Sequence, residues 1–490
     1  MKSSVIYIRN RTAFIVISAI FLSCALLVIM TPNERYVAGP VMACTILMLW
    51  LWMFLWKRDG QIPFFDVGVF CALATFIYTV FPLLNFWING LQFGFLSDTR
   101  LIYHNLSPVE MGTFHFRHVM YLFSFIAIYA YFRGKETIQV CKIDRISRSD
   151  QKIIILYFIL LTCFFILLKL ETGHSYNFSY SPESFESYLE TVADIPLFLF
   201  QISNKLWGIR FVFKLALLFI VTSKCAQKKW RFILFAWIIL EITYTFLIQG
   251  ARTELILFLI ATALLYHRLV KTLTFKFLFI SGMLVLTGFL FLGIYRTNVS
   301  LADLLANLFN KDIGIFSAGN EFQSLLGTTY DVYILKKSGI DLPWYLYIND
   351  IITILPPRQL LPFEKISASE WYLRQIGLSG TGIGLMWGVI TQSIIGFDWL
   401  EIVLRGAILG YLLARLHRWY LNNQTGFFET LVYTYACLRV YYTFRDTTFS
   451  PLSNFVWEII PFYILLRMRI ILIKRKDKNN AAGRHQHFVS

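Results

Sequence analysis

Charge is scarce in this chain. Asp, Glu, Lys and Arg make up only 15% of its 490 residues, where soluble domains carry about 25%. Set against 57% hydrophobic and 18% aromatic content, that deficit excludes an ordinary soluble protein, because so much apolar surface cannot be kept from water. Cysteines are few and badly spaced for chemistry. Cys24, Cys44, Cys71, Cys163 and Cys437 lie in apolar runs, and Cys141 and Cys225 lie in basic loops. That distribution gives neither a disulfide framework nor a metal-ligand spacing, so no zinc or iron site and no metal are expected. Histidine is missing from the whole interval Tyr295–Gly396, which disfavours any mechanism that needs a histidine base there. A Walker loop and a dinucleotide fingerprint are also missing, so ATP-driven transport and redox chemistry drop out and no cofactor is expected. No internal repeat is visible.

What the chain does contain is a series of apolar runs long enough to span a bilayer, each about 17–25 residues. They begin with Ala13–Met30, which follows Lys2, Arg9 and Arg11 and reads as an uncleaved first helix. Tyr36–Trp56, Phe64–Trp87, Met111–Phe132, Ile153–Leu170, Leu206–Thr222, Phe232–Ile248, Leu255–Tyr266 with its flanks, and Phe277–Ile294 follow. Trp399–Leu416, Phe428–Tyr442 and Phe455–Ile473 complete a set of about twelve. The segment Gly382–Ile395 is apolar but only half-length, a pattern that fits a re-entrant element as well as a span. The expected fold is an all-α polytopic membrane bundle, with residues 1–294 carrying the first nine spans, 295–396 a large polar interval, 397–473 the last three spans, and 474–490 a basic tail.

Sidedness follows from the basic residues. With the N-terminus inside, the inner loops hold Lys57-Arg58, then Arg133 to Lys152, Lys224 to Arg231, Arg268 to Lys276, Arg415 and Arg418, and the tail adds Lys474, Arg475, Lys476 and Lys478. The short outer loops Thr31–Arg35, Gln249–Thr253 and Arg445–Pro451 carry single arginines. This positive-inside pattern places both termini in the cytoplasm and the long polar interval outside. The net charge of +16 is therefore accounted for by one set of helix ends, without nucleic acid as a partner.

Functional residues are expected where polar chemistry interrupts the apolar background. Arg252 sits in the tight turn Gln249-Gly-Ala-Arg-Thr-Glu254, Arg296 closes the ninth span, Arg358 follows Leu355-Pro-Pro, and Arg445-Asp446 opens the last outer loop. Guanidinium is permanently charged and forks onto phosphate oxygens, so arginines converging at the outer mouth suit a pyrophosphate ligand. The plain alternative is that each snorkels to lipid headgroups or pairs with a neighbouring carboxylate. Among the outer acids, Glu321, Asp331 and Glu370 are candidates to receive a proton from a sugar hydroxyl. Helix capping or a local ion pair explains Glu370 better. Glu241 and Glu401 fall inside spans, and without a chain of acids and histidines they read as structural ion pairs. Tyr330, Tyr333, Trp344, Tyr345, Tyr347, Trp371 and Tyr372 offer faces for sugar rings, and interfacial belts give the same enrichment.

The arrangement resembles the bacterial Wzy-type polymerases of O-antigen and oligosaccharide repeat units. The likeness lies in the span number, the cytoplasmic termini and the large late external loop. It also lies in Gly250-Ala-Arg252, Gly319-Asn-Glu-Phe322 with Leu355-Pro-Pro-Arg358, and Gly380-Thr-Gly-Ile-Gly384 leading to Ile395-Gly-Phe397. One departure stands out: where related chains often have an acid, this one has Ile390-Thr-Gln392. The resemblance implies a metal-independent, GT-C-like membrane glycosyltransferase in the bacterial inner membrane. It would polymerise undecaprenyl-pyrophosphate-linked units into O-antigen or capsular polysaccharide on the periplasmic side. Donor and acceptor lipid-linked oligosaccharides, membrane lipids and a chain-length regulator are the partners it implies. Arg252, Arg296, Arg358, Arg445, Asp331 and Asp446 would bind substrate, and Glu321 would serve as base. An O-antigen ligase and a lipid-linked oligosaccharide flippase are the alternatives; the missing loop histidine counts against the first and the missing repeats against the second.

Overall fold

The computed structural model describes residues 35–59, 64–89, 108–134, 146–171, 197–244, 252–274, 276–277, 280–282, 320–340, 342–354, 368–375, 387–445 and 447–467. It is 87% helical and has no strand among the described residues. In chain order the helices are α1 (Arg35–Asp59), α2 (Val67–Asn89), α3 (Pro108–Phe132), α4 (Arg148–Glu171), α5 (Leu197–Ser223), α6 (Lys228–Tyr244) and α7 (Arg252–Leu269). The polar interval contributes α8 (Asn320–Lys337), α9 (Trp344–Tyr347), α10 (Asn349–Ile354), α11 (Ala368–Gln375) and α12 (Gly388–Ile395). Then come α13 (Trp399–Asn422), α14 (Phe427–Arg439), α15 (Tyr442–Arg445) and α16 (Ser450–Asn454), which runs into a π-helical turn, Phe455–Ile459. The expected spans Ala13–Met30 and most of Phe277–Ile294 lie outside the described residues.

This is an all-α membrane bundle. Among the described residues, three helical stretches are long and apolar enough to cross a bilayer: Ala38–Asp59, Arg148–Leu167 and Leu206–Ser223. Large apolar side chains point outward in stripes, as in Ile155, Leu156, Ile159 and Leu160 on α4, Phe232 and Phe235 on α6, and Leu400, Leu404 and Ile408 on α13. In water such faces would drive aggregation, whereas against lipid they cost nothing.

The most extensive helix pair is α3 with α13. The reason is local: Gly406-Ala-Ile-Leu-Gly410 places two glycines four residues apart on one face of α13. A Cβ added at Gly406 would lie 2.6 Å from the Tyr121 carbonyl oxygen, and one at Gly410 would lie 2.6 Å from that of Phe125. Backbone therefore meets backbone, the close approach that small residues permit between membrane helices. Because 406 and 410 match 121 and 125 in ascending order, α3 and α13 run parallel. Two apolar cores flank this pair. One joins α1, α2, α3, α8, α12 and α13, and the other joins α4, α5, α6, α7, α14 and the π turn.

One end of the bundle is tied by a dense polar knot. Asp66 caps α2 by accepting from the Gly68 and Val69 amides at 3.0 and 3.1 Å, the usual service of an acid at a helix start. It also accepts from Tyr129 Oη and Arg133 Nε, both at 2.6 Å. Arg133 reaches Asp59 at 2.6 Å as well. His417 shares a hydrogen bond with Tyr433, whose hydroxyl accepts from the Val67 amide at 3.0 Å. Every polar side chain named here is buried or nearly so, so the knot locks the α1–α2 connection to α3, α13 and α14.

Candidate functional site

The polar interval does not stand off from the bundle; its helices pack into it. Helix α12 is only eight residues long and every one of them is buried. At about 1.5 Å per residue it is near 12 Å in length, far short of the ~30 Å hydrocarbon thickness. The half-length segment Gly382–Ile395 is thus no span in its described part, and α12 lies among α8, α13 and α15. Helices α8 and α12 run side by side in the same direction. Leu325 meets Gly388, Thr329 shares a 2.7 Å hydrogen bond with Thr391, and Lys336 donates to the carbonyls of Ile394, Ile395 and Gly396 at 2.5–3.1 Å. That lysine closes the C-terminal end of α12, where its positive charge also suits the helix dipole.

Gln392 is the hub of α12. Its carbonyl oxygen accepts from Trp387 Nε1 at 2.9 Å and Asn349 Nδ2 at 3.3 Å, and its amide donates to the Leu346 carbonyl at 2.6 Å. Gln392 is therefore a neutral strut between α9, α10 and α12. At the other end, the Trp387 amide donates to the Arg445 carbonyl at 3.3 Å. Gly388 adopts φ +75 there, with Phe444 O 2.8 Å from the place a Cβ would take. Glycine is required on both counts.

These contacts settle where several expected residues sit. Arg445 ends α15, half-buried, against the start of α12. Glu321 is the second residue of α8, one helical turn before Leu325, which touches Gly388; its side chain lies outside the described residues. The start of α8, the start of α12 and Arg445 thus share one neighbourhood. Asp331 is fully buried on α8 and accepts a hydrogen bond from the Tyr372 hydroxyl, so it ties α11 to α8. Arg252 is the first residue of α7, its side chain not described. Arg296, Arg358 and Asp446 lie outside the described residues. Of the aromatics, Tyr330, Trp371 and Tyr372 are core residues, while Trp344 and Tyr347 are exposed.

Three further charge clusters occupy the bundle. In the first, Lys214 pairs with Glu241 at 2.6 Å and with Glu254 at 3.1 Å, and Arg210 approaches Glu254 at 3.8 Å. Close by, Arg439 pairs with Glu458 at 2.8 Å, and Tyr435 donates to the same carboxylate at 2.7 Å. Glu458 lies against the backbone of Gly208 on α5. Three cations match three anions here, which is what a dry interior demands. Arg252 enters the fold beside this cluster, two residues before Glu254. In the second cluster, Arg117 makes a bidentate pair with Asp398, both contacts at 2.7 Å. Its guanidinium lies 4.6, 5.3 and 5.6 Å from the rings of Trp399, Tyr333 and Phe114. Asp398 is the one non-glycine with positive φ among the described residues, at 51°, and this clamp helps hold it in that strained corner.

The third cluster was not expected. Arg405 donates Nε to Glu401 at 2.7 Å, and Nη1 to Thr448 at 2.6 Å and to Asp350. It joins the polar interval, through Asp350 on α10, to α13 and the α15–α16 turn. Two carboxylates share one guanidinium. The sequence signal was present in the spacing of Glu401 and Arg405, four apart on one helix face, but nothing local pointed to Asp350. Glu241 and Glu401 are both in ion pairs, as expected of acids inside a bundle, and Glu370 pairs with Arg374 on the surface at 2.8 Å. No family model matches the chain, and comparison with curated proteins and with solved structures finds no match either.

Proposed function

We propose that this chain is a repeat-unit polymerase: a membrane glycosyltransferase that joins undecaprenyl-pyrophosphate-linked oligosaccharides into O-antigen or capsular polysaccharide. The observation that carries the proposal is the folding of the polar interval into the bundle, where the starts of α8 and α12 meet Arg445. A polar, Gly-containing segment buried among membrane helices lines a cavity or packs on protein.

In this reading the acceptor hydroxyl oxygen forms the new bond to the anomeric carbon of the growing chain. The bond from that carbon to the pyrophosphate oxygen breaks, and its electron pair leaves with undecaprenyl pyrophosphate. Arg445, with Arg252, Arg296 and Arg358, stabilises the charge that develops on the leaving group, and a carboxylate such as Glu321 takes the hydroxyl proton. Asp331, held by Tyr372, serves by fixing α11 on α8 rather than by touching substrate. About twelve spans, a GT-C-like arrangement, cytoplasmic termini and an inner-membrane location belong to the same proposal. The parallel course of α3 and α13 supports the span count, since a fourth and a tenth span cross in the same direction.

Deletion of the gene followed by gel analysis of the cell's polysaccharide tests the reading. A polymerase leaves caps of one repeat unit. Lipid-linked polymer that never reaches its final carrier points instead to the ligase, and accumulation on the cytoplasmic face points to the flippase.

A further inference from the structure

The start of α6 gathers positive charge where helix formation disfavours it. The turn from α5 into α6 reads Lys224-Cys-Ala-Gln-Lys-Lys-Trp-Arg231, four cations with no acid between them. Lys228, Lys229 and Arg231 fall in the first turn of α6, which holds no acid. The free amides at a helix start already make that end positive, so cations there cost stability. All three side chains are exposed, and none has an ion pair among the described residues. The turn itself is closely built. The Gln227 amide donates to the Lys224 carbonyl at 3.1 Å, the Trp230 and Arg231 amides donate to the Gln227 carbonyl at 3.2 and 3.4 Å, and Arg231 Nη2 reaches the Ala226 carbonyl at 3.5 Å. Lys224 Nζ lies 4.7 Å from the centre of the Trp230 ring and donates to Gln151 Oε1 at 3.0 Å. That last contact brings in the start of α4, where Arg148 and Lys152 are exposed. Among the described residues the patch so formed has six cations and one acid, Asp150.

Below the charge, apolar side chains take over on the same helix faces. On α6, Lys228, Phe232, Phe235 and Ile239 follow one another at intervals of four, three and four residues, and all are exposed. That spacing makes one stripe of a helix. Helix α4 repeats it with Lys152, Leu156 and Ile159, all exposed. A cation above an apolar stripe at the end of a membrane helix matches a phospholipid, phosphate above and acyl chain below. The positive-inside pattern accounts for basic residues in this loop. It does not account for their place in the first turn of α6, in line with the lipid-facing stripe.

We propose that the α5–α6 turn, with the start of α4, is a binding site for an anionic phospholipid. Lys228, Lys229 and Arg231 hold the phosphate, and the acyl chains lie along Phe232, Phe235 and Ile239. Charge complementarity selects the lipid: six cations less one acid leave a surplus of five, which favours a headgroup of net negative charge over a zwitterionic one. The bound phosphate also relieves the repulsion at the start of α6. The site takes no part in the polymerase reading and stands or falls without it.

The test uses purified full-length protein in neutral detergent, with bound lipid counted by native mass spectrometry. Wild-type protein is expected to bind phosphatidylglycerol about tenfold or more tightly than phosphatidylcholine. The triple variant Lys228→Gln, Lys229→Gln and Arg231→Gln is expected to lose about 100-fold in phosphatidylglycerol affinity, at roughly fivefold per basic residue. Lys57→Gln with Arg415→Gln removes exposed cations from α1 and α13, on the other apolar core, and is expected to change nothing. Inorganic phosphate in excess is expected not to displace the lipid; displacement assigns the patch to a free anion and overturns the proposal. Equal affinity of wild type for the two lipids, or equal losses in the triple and control variants, overturns it as well. Should the triple variant fail to reach the membrane, the wild-type preference and a roughly fivefold loss in Lys228→Gln alone decide.

Discussion

Replacing Arg133 by methionine tests the logic of the buried charges most sharply. The Arg133 side chain is 3% exposed and bridges Asp59, at 4%, and Asp66, at 1%. Methionine fills much of the same volume but leaves two carboxylates facing each other without their shared cation. Removing one partner of a buried pair costs about 3–5 kcal/mol; Asp59 keeps Arg58 at 3.5 Å, so Asp66 is the carboxylate left without an arginine and the lower part of that range is expected. The Tyr129 and Gly68–Val69 contacts to Asp66 cannot compensate, because they do not neutralise charge. Thermal unfolding of detergent-solubilised protein, followed by tryptophan fluorescence, reads the loss. A double variant, Arg133→Met with Asp66→Asn, leaves the Arg58–Asp59 pair intact and is expected to recover most of it, since neutral replacement of a buried ion pair is often harmless. A single variant within about 1 kcal/mol of wild type, or a double variant no better than the single one, refutes the reasoning.

Other perturbations follow from the same contacts. Gly410→Ala puts a Cβ 2.6 Å from the Phe125 carbonyl oxygen; the α3–α13 pair must part, at a cost of about 1–3 kcal/mol, readable as a lowered melting temperature, and an unchanged one contradicts the parallel packing. Gln392→Leu strands Trp387 Nε1 and Asn349 Nδ2, each worth about 1–3 kcal/mol when buried; protease cleavage within α9–α12 is expected to accelerate, and unaltered resistance speaks against the strut. For orientation, cysteines introduced one at a time into a cysteine-free chain are expected to label from outside at Ser175 and from inside at Lys228, with the reverse pattern inverting the topology. Cys225, restored as the sole cysteine, is expected to stay silent in the same assay, because it is buried and burial pushes its thiol above the ordinary value.

Much of the helical layout was legible because it depends on a one-dimensional signal. Ten of the twelve apolar runs overlap the helices or the π-helical turn named above, and three of those helices are long and apolar enough to cross a bilayer. Ends were less so: α5 starts at Leu197, nine residues before the apolar run at Leu206, because Gln201, Asn204 and Lys205 interrupt hydropathy without interrupting helix. The buried pairing of Glu241 was legible from its isolation in an apolar run. The partner was not, because Lys214 lies on another helix and only packing brings the two together. The same holds for Asp350 and Arg405, 55 residues apart. Tertiary contact also brings together Asp331 and Tyr372, 41 residues apart, a pairing that nothing local in the sequence announced. Gly406 and Gly410 were visible in the sequence all along. Their spacing gained meaning only when α3 lay against them.

The central claim is that the polar interval, folded against Arg445, elongates lipid-linked oligosaccharide. The most direct measurement is reconstitution of the purified chain in vesicles with lipid-linked single units, followed by size analysis of the product and assay of the released lipid pyrophosphate. The account predicts products of two and more units, one undecaprenyl pyrophosphate released per linkage, and loss of elongation in Arg445→Ala at an unchanged melting temperature. Units that cross the bilayer without growing, or full elongation by Arg445→Ala, would contradict it.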